Sequence, residues 1–279
     1  MFKKISTIIM LSLFFIGLSV LLYPSISSYW NSKTQSQVVE SYETMLQNMS
    51  TDDKKEILRA AQDYNEGLKQ LEFPLRDYSL IENYNQTLNL NNMGMMGYVS
   101  IDSIGVELPI YHTVSESILS HAAGHMEGTS LPVGGESTHA VLSAHRGLPN
   151  AKLFTDLNKV QVGDTFTITI MDTVILYQVD QILTVTPDNT ADIQIVEGKD
   201  YCTLLTCTPY GLNTHRLLVR GTRIDTITEK QAYVGNEAYQ IDTLIVTPIV
   251  ALPILLVLIL IVLFQPVKQE RIIEGDEVE

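Results

Sequence analysis

Thr203-Leu204-Leu205-Thr206-Cys207-Thr208-Pro209-Tyr210-Gly211-Leu212-Asn213-Thr214-His215-Arg216 reads as a strand, a polar turn and the start of a second strand. Tyr201 to Cys207 is rich in Thr, Leu and Cys and has no helical period, while Pro209, Gly211 and Asn213 are turn residues. Leu217, Leu218 and Val219 resume an apolar run that Gly221 closes. If the two strands pair as a hairpin, Cys207 ends one and Arg216 begins the other. A thiol and a guanidinium then stand side by side at the mouth of a sheet. A thiol beside a fixed positive charge is a candidate nucleophile, because the charge favours the thiolate.

Working outward, the 279 residues suffice for one sizeable domain plus further segments, and 45% hydrophobic content can build its core. The net charge of -14 argues against nucleic acid as a partner, since phosphates would be repelled. Cys202 and Cys207 are an odd number of positions apart, so one strand places them on opposite faces and no disulfide is expected. Cys202 then reads as a small buried hydrophobe.

Two stretches read as membrane segments. Ile5 to Tyr23 is apolar, follows Lys3 and Lys4, and meets no charge until Lys33. It reads as an uncleaved anchor, with a signal peptide cleaved near Ser25-Ile26-Ser27 as the rival. Thr243 to Val267 is a second uncharged run, interrupted by Pro248 and Pro253 and followed by Lys268 and Arg271. Basic residues flank both runs on their outer sides, so both termini are expected in the cytoplasm with the intervening domain outside the cell. The expected organisation is an anchor over 1–30, a helical juxtamembrane and lid-like region over 31–96, a catalytic barrel over 97–226, a linker over 227–242, a membrane helix over 243–267 and a tail over 268–279.

Between the anchor and the barrel, Thr34 to Leu71 reads as one or two helices. Ser50 or Thr51 caps the second, and Ile57, Ala60, Ala61, Tyr64 and Leu68 share one face. Asp77 to Met96 reads as a loop, with Met93, Met95 and Met96 either packing beneath it or forming a flap over a groove. Strands are expected at Gly97 to Ile101, Val106 to Tyr111 and Ala140 to Ser143, and a hairpin at Thr165 to Ile170 with Val174 to Val185. Glu116 to Met126 and Ala151 to Val160 read as short helices. Many strands and few helices indicate a barrel or sandwich.

The thiol needs a proton donor and acceptor, and there are six histidines. His121 and His125 stand four apart, a weak metal-site spacing with no other ligand set beside it, so no metal is expected. His145 lies at a strand end beside Arg146-Gly147, where loops carry chemistry. His215 neighbours Arg216, and adjacent strand residues point to opposite faces. Spacing alone places His145 ahead of His215 without excluding the latter, and Arg216 also reads as a surface ion-pair residue.

At these residues the chain resembles a sortase of class C, the pilus-building type. Thr203-Leu204-Leu205-Thr206-Cys207 is similar to the family's Thr-Leu-x-Thr-Cys signature, Arg216 to its arginine, and Ser143-Ala144-His145-Arg146-Gly147 to its histidine setting. Gly128-Thr129-Ser130-Leu131-Pro132-Val133-Gly134-Gly135 resembles the run before that strand. The resemblance spans roughly Gly97 to Ile224. It implies a closed, mainly β sortase barrel of about eight strands, with Cys207, His145 and Arg216 as catalytic residues and no cofactor. Thr206, Ser143 and Leu205 are the expected groove residues, although the Thr206 hydroxyl also reads as purely structural.

The resemblance further implies that Cys207 attacks the Thr carbonyl of a Leu-Pro-x-Thr-Gly-like signal in a pilin, and that the acyl group passes to a lysine amine of another pilin. A housekeeping sortase acting on cell-wall precursor, and an inert membrane-tethered binding barrel, are the alternative readings. One departure stands out. Many class C enzymes carry an Asp-Pro-aromatic lid, and Phe73 to Gly97 contains none. Asp77-Tyr78 keeps the acid and the aromatic without the proline. The groove is therefore expected to be open, or closed by Met93, Met95 and Met96.

Overall fold

A computed structural model of the chain describes residues 2–90 and 94–224, with side chains from residue 9 onward. Met93, the second apolar run and the expected linker lie outside the described residues.

Eight strands close into a barrel: β1 (Met95–Ile101), β2 (Val106–His112), β3 (Ala123–His125), β4 (Thr138–Ser143), β5 (Thr165–Ile170), β6 (Thr173–Val185), β7 (Asp200–Thr208) and β8 (His215–Arg223). Their order around the wall is β1-β2-β3-β4-β7-β8-β6-β5, and β5 closes on β1. Adjacent strands are antiparallel except for β2 with β3 and β4 with β7. Closure removes every free edge, which suits a β domain exposed to other chains. Alternating residues fill the interior. Val99, Ile101, Leu108, Ile110, Leu142, Phe166, Ile168, Cys202, Leu204 and Val219 are all buried, and Phe166 stacks on Tyr177 with ring centroids 5.5 Å apart. Each large apolar side chain removed from water contributes roughly 1.5–3 kcal/mol.

Two helices precede the barrel. α1 (Phe2–Gln47) runs unbroken through Pro24, and from Ile9 it is long and apolar enough to cross a membrane. Its last three turns bury Val39, Tyr42 and Leu46 against the barrel. The Tyr42 hydroxyl donates to the Met96 carbonyl at 2.8 Å and accepts from the Met171 amide at 2.9 Å. Burial pushes that hydroxyl up to about 12. α2 (Thr51–Lys69) is capped as expected, the Ser50 Oγ accepting from the Asp53 amide at 3.1 Å. Ala61, Tyr64 and Leu68 are buried on its inner face, whereas Ala60 is exposed. The fourth buried position is Asn65, whose side-chain amide pairs with both backbone groups of Leu131. A polar residue that meets its hydrogen bonds this way does not register as core in an apolar pattern.

Three expectations are corrected. Glu116 to Met126 is not one helix: α4 (Glu116–Leu119) lasts a single turn and β3 follows, paired parallel to β2. His121 and His125 therefore share no helix face. Ala151 to Val160 is not a surface helix. It is a series of turns with one 3-10 turn, Leu157–Lys159, and it buries Ala151, Leu153, Phe154, Leu157 and Val160. Met95 and Met96 are not a flap, because they open β1 and are packed in the core at 4% and 0% exposure.

Candidate active site

The parallel pairing of β4 with β7 runs from Thr138 opposite Asp200 to Ser143 opposite Leu205. Two residues beyond that last pair stand His145 and Cys207, so the register carries both to the same rim. The exit of β4 is pinned to β7 by two hydrogen bonds. The Ala144 amide donates to the Leu205 carbonyl at 3.2 Å, and the Thr206 hydroxyl donates to the Ala144 carbonyl at 2.8 Å. On the other side, the antiparallel β7–β8 register places Arg216 directly opposite Cys207 and His215 opposite Thr208. Directly opposed residues of an antiparallel pair share a face. Arg216 is thus on the thiol's face and His215 on the other, as the strand period requires.

The Arg216 guanidinium donates to the carbonyls of Asn213 and His215 at 3.2 and 3.1 Å, which braces it against its own turn. The His145 Nε2 stands 2.9 Å from a carboxylate oxygen of Glu116, at the start of α4. Nothing in the sequence singled out Glu116. It lies 29 positions from His145, and only the short β2–β3 connection folds it back. Arg146, next in line, ties the two rim loops together. It donates to the side chains of Asn158 at 2.9 Å and Thr208 at 3.4 Å, and its guanidinium carbon lies 6.0 Å from the Tyr210 ring centre. The Tyr210 ring also explains Gly147: a Cβ there would stand 2.7 Å from Cε2, and the backbone φ of +79° disfavours any side chain.

Below the thiol, Val141, Leu205 and Leu218 form an apolar floor with Ile193, flanked by Leu183 and Val185. Leu205 and Ser143 lie on this face, as expected of groove residues. Thr206 does not. It is 1% exposed, it alternates to the interior face, and its hydroxyl holds the Ala144 carbonyl, which is the structural role.

A residue the sequence did not flag packs on this floor. After α2 the chain turns through α3 (Pro74–Asp77), and Leu75 packs on the apolar floor together with Met126. Gly128 lets this segment come close, since a Cβ there would stand 2.7 Å from the Leu75 Cα and 2.8 Å from the Pro74 carbonyl oxygen. The expected lid residues take other places. Asp77 forms a two-point pair with Arg76 at 2.7 and 2.8 Å, and this holds its carboxyl below the usual range. Tyr78 packs against the main core.

Other titratable groups are locked by burial. His125 accepts from the Tyr84 hydroxyl at Nδ1 and donates from Nε2 to the Ser130 carbonyl, at 2.9 and 2.8 Å. The carbonyl can only accept, which fixes this neutral tautomer. Burial lowers the ring to about 4, and burial likewise lowers His139, which sits between the Gln194 carbonyl and the Thr203 hydroxyl. Burial pushes the Cys202 thiol well up. Among the described residues no group of three or more His, Cys, Asp or Glu is placed to hold a metal ion.

A rim thiol with an opposed arginine and a histidine on the neighbouring strand end is an arrangement suited to thiol-based acyl transfer. Residues 99–224 match the sortase domain family. The chain is 47% identical to sortase C1 of Streptococcus agalactiae, covering 68% of this chain and 98% of that one with a TM-score of 0.62. It is 45% identical to sortase C of Streptococcus pneumoniae over 68% of this chain and 97% of that one, with a TM-score of 0.61. Among curated proteins it is 31% identical to sortase A of Streptococcus agalactiae over 42% of this chain and 49% of that protein, about half its length. It is 30% identical to sortase A of Bacillus anthracis over 51% of this chain and 66% of that protein. With a barrel, a strand-end thiol and an opposed arginine in common register, and near-complete coverage of solved relatives at this identity, the chain belongs to the sortase family.

Proposed function

We propose that this sortase is a pilus-assembling transpeptidase anchored at the outer face of a Gram-positive membrane. The observation that carries the chemistry is the β7–β8 register, which sets Arg216 opposite Cys207. Cys207 as thiolate attacks the Thr carbonyl of a Leu-Pro-x-Thr-Gly-like signal. Arg216 donates hydrogen bonds to the developing oxyanion. His145 gives a proton to the departing glycine amine, and the Cys207–acyl thioester remains. A lysine amine of a second pilin then attacks the thioester. His145 takes the amine's proton, the thiolate leaves, and an isopeptide bond is made. Water is the competing nucleophile. The apolar floor of Val141, Leu205 and Leu218 suits the aliphatic part of the signal. The higher identity to sortase C structures than to sortase A sequences supports the pilin reading.

α1 supports anchoring, and Lys3 and Lys4 ahead of its apolar half favour a cytoplasmic N-terminus. The test is to incubate the full chain with a pilin that carries both signal and acceptor lysine. Ladders of linked pilin are expected, and Cys207→Ala, His145→Ala and Arg216→Ala each remove them. Ladders made by the Cys207→Ala variant would end the reading. Single proteins joined to peptidoglycan instead would assign the housekeeping role.

A further inference from the structure

The barrel has two rims, and the contacts of α1 distinguish them. β4 and β7 run parallel and end at the rim that bears His145 and Cys207. β3 is antiparallel to β4 and so begins at that rim, with His121 just before it. The first contacts of α1 with the barrel are on this rim. The Asn31 amide donates to the Asn150 carbonyl at 2.6 Å, in the loop that follows His145, and the Gln35 amide donates to the His121 carbonyl at 2.8 Å. The later contacts are on the opposite rim. Tyr42 meets Met96 at the start of β1 and Met171 at the end of β5, strands whose rim-side ends are Ile101 and Thr165. α1 therefore runs down the barrel wall from the catalytic rim to the far one, and its apolar half projects beyond the catalytic rim.

The helix rise then fixes the height of that rim. From Tyr23, where the apolar run ends, to Asn31 is about 12 Å along an α-helix. The headgroup layer on one side of a bilayer is about 5–8 Å thick. Tyr29 and Trp30, 64% and 69% exposed, stand about 9 and 10 Å past Tyr23, just beyond that layer, and their side chains lean back towards it because helical side chains tilt to the N-terminus. On the same rim the β7–β8 loop presents Tyr210 and Leu212, 62% and 72% exposed. Tyr210 rests on Gly147, three residues before Asn150.

Resting on the anchoring read for α1, we propose that the catalytic rim is itself a membrane-docking surface, and that Tyr210 and Leu212 enter the headgroup region of the bilayer. The site mouth then opens at the lipid surface rather than away from it. The partner is a lipid interface recognised by one aromatic and one aliphatic side chain. The chain's acidic balance makes apolar insertion, rather than attraction to anionic lipid, the adhesive part.

The experiment uses the full chain in phosphatidylcholine vesicles that carry bromine at a shallow acyl carbon. Trp30 is the chain's single tryptophan and reports the interface beside the rim in the wild type. A Trp30→Phe background then receives Tyr210→Trp, Leu212→Trp or, on the far rim, Val174→Trp. The Tyr210→Trp and Leu212→Trp variants are expected to lose emission to an extent close to that of wild-type Trp30, and the Val174→Trp variant to lose none. If both rim variants behave like Val174→Trp while wild-type Trp30 is quenched, the docking surface is overturned and the anchor stands. Failure of the full chain to float with the vesicles overturns the anchor and the docking surface together.

Discussion

One strand carries both thiols of this protein, and they occupy opposite worlds. Cys202 faces the barrel interior, is fully buried, and has its thiol pushed well up by desolvation. Cys207, five positions on, faces the groove at the rim, half-buried, with Arg216 opposite. The same contrast separates the histidines: His125 and His139 are held neutral by burial, whereas His145 is partly open and meets a carboxylate. The side chains are the same in both places. Strand parity and distance from the rim decide which are packed away and which are left accessible for chemistry.

The sharpest break of that comparison is at the thiols themselves. Cys207→Ala is expected to lower transpeptidation on the order of 10³-fold or more, as loss of a nucleophile does, while Cys202→Ala leaves turnover of folded enzyme unchanged. Pilin ladders and thioester capture measure both. A thiol reagent is expected to modify Cys207 and spare Cys202 until the chain unfolds, as mass spectrometry of the two peptides will show.

Acid tests the interior next. The folded-state value of His125, about 4, lies below its ordinary value of 6.5, so the unfolded chain binds the proton more readily. Stability from this residue is complete above pH 6.5 and declines as pH falls towards 4, by about 3 kcal/mol in all. Denaturant unfolding of the wild type at pH 7 and pH 4.5, set against a His125→Gln variant, is expected to show the shallower pH dependence in the variant.

At the groove, Leu75→Ala is expected to raise the rate of Cys207 labelling several-fold while costing roughly 1 kcal/mol of stability, since Leu75 is partly buried. Gly128→Ala should do the same from the other side, because its Cβ collides with the backbone of Pro74 and Leu75. Unchanged labelling in both variants would remove Leu75 as the cover. The smallest effect is expected from Cys202→Ala on stability, about 1 kcal/mol by thermal or denaturant unfolding, the common cost of one core truncation.

Some of this was legible in the sequence because it depends on local rules. A period of two along Thr203 to Cys207 is enough to separate the faces of the two cysteines, and the same period puts Arg216 and His215 on opposite faces; that Arg216 is the one set against the thiol came from the β7–β8 register. The turn residues Pro209, Gly211 and Asn213 set the hairpin, and the Ser50 cap marks the start of α2. The methionines were legible only as alternatives, packing or a flap, and the structure takes the packing side: Met95 and Met96 lead straight into β1 and are consumed by the core. β3 is three residues long and has no alternation to detect, so its flanking histidines read as helical.

By itself, then, the sequence determined the strand character of the Cys207 hairpin, the alternation of residues between its two faces, and an apolar N-terminal run long enough to span a bilayer. Each of these is a matter of spacing along one stretch of chain. Only the tertiary structure decided that Glu116 meets His145, that Leu75 covers the apolar floor through the space Gly128 leaves, and that α1 leaves the barrel at the catalytic rim. Those are contacts between stretches far apart in sequence, set by barrel closure and strand order, and no local period encodes them.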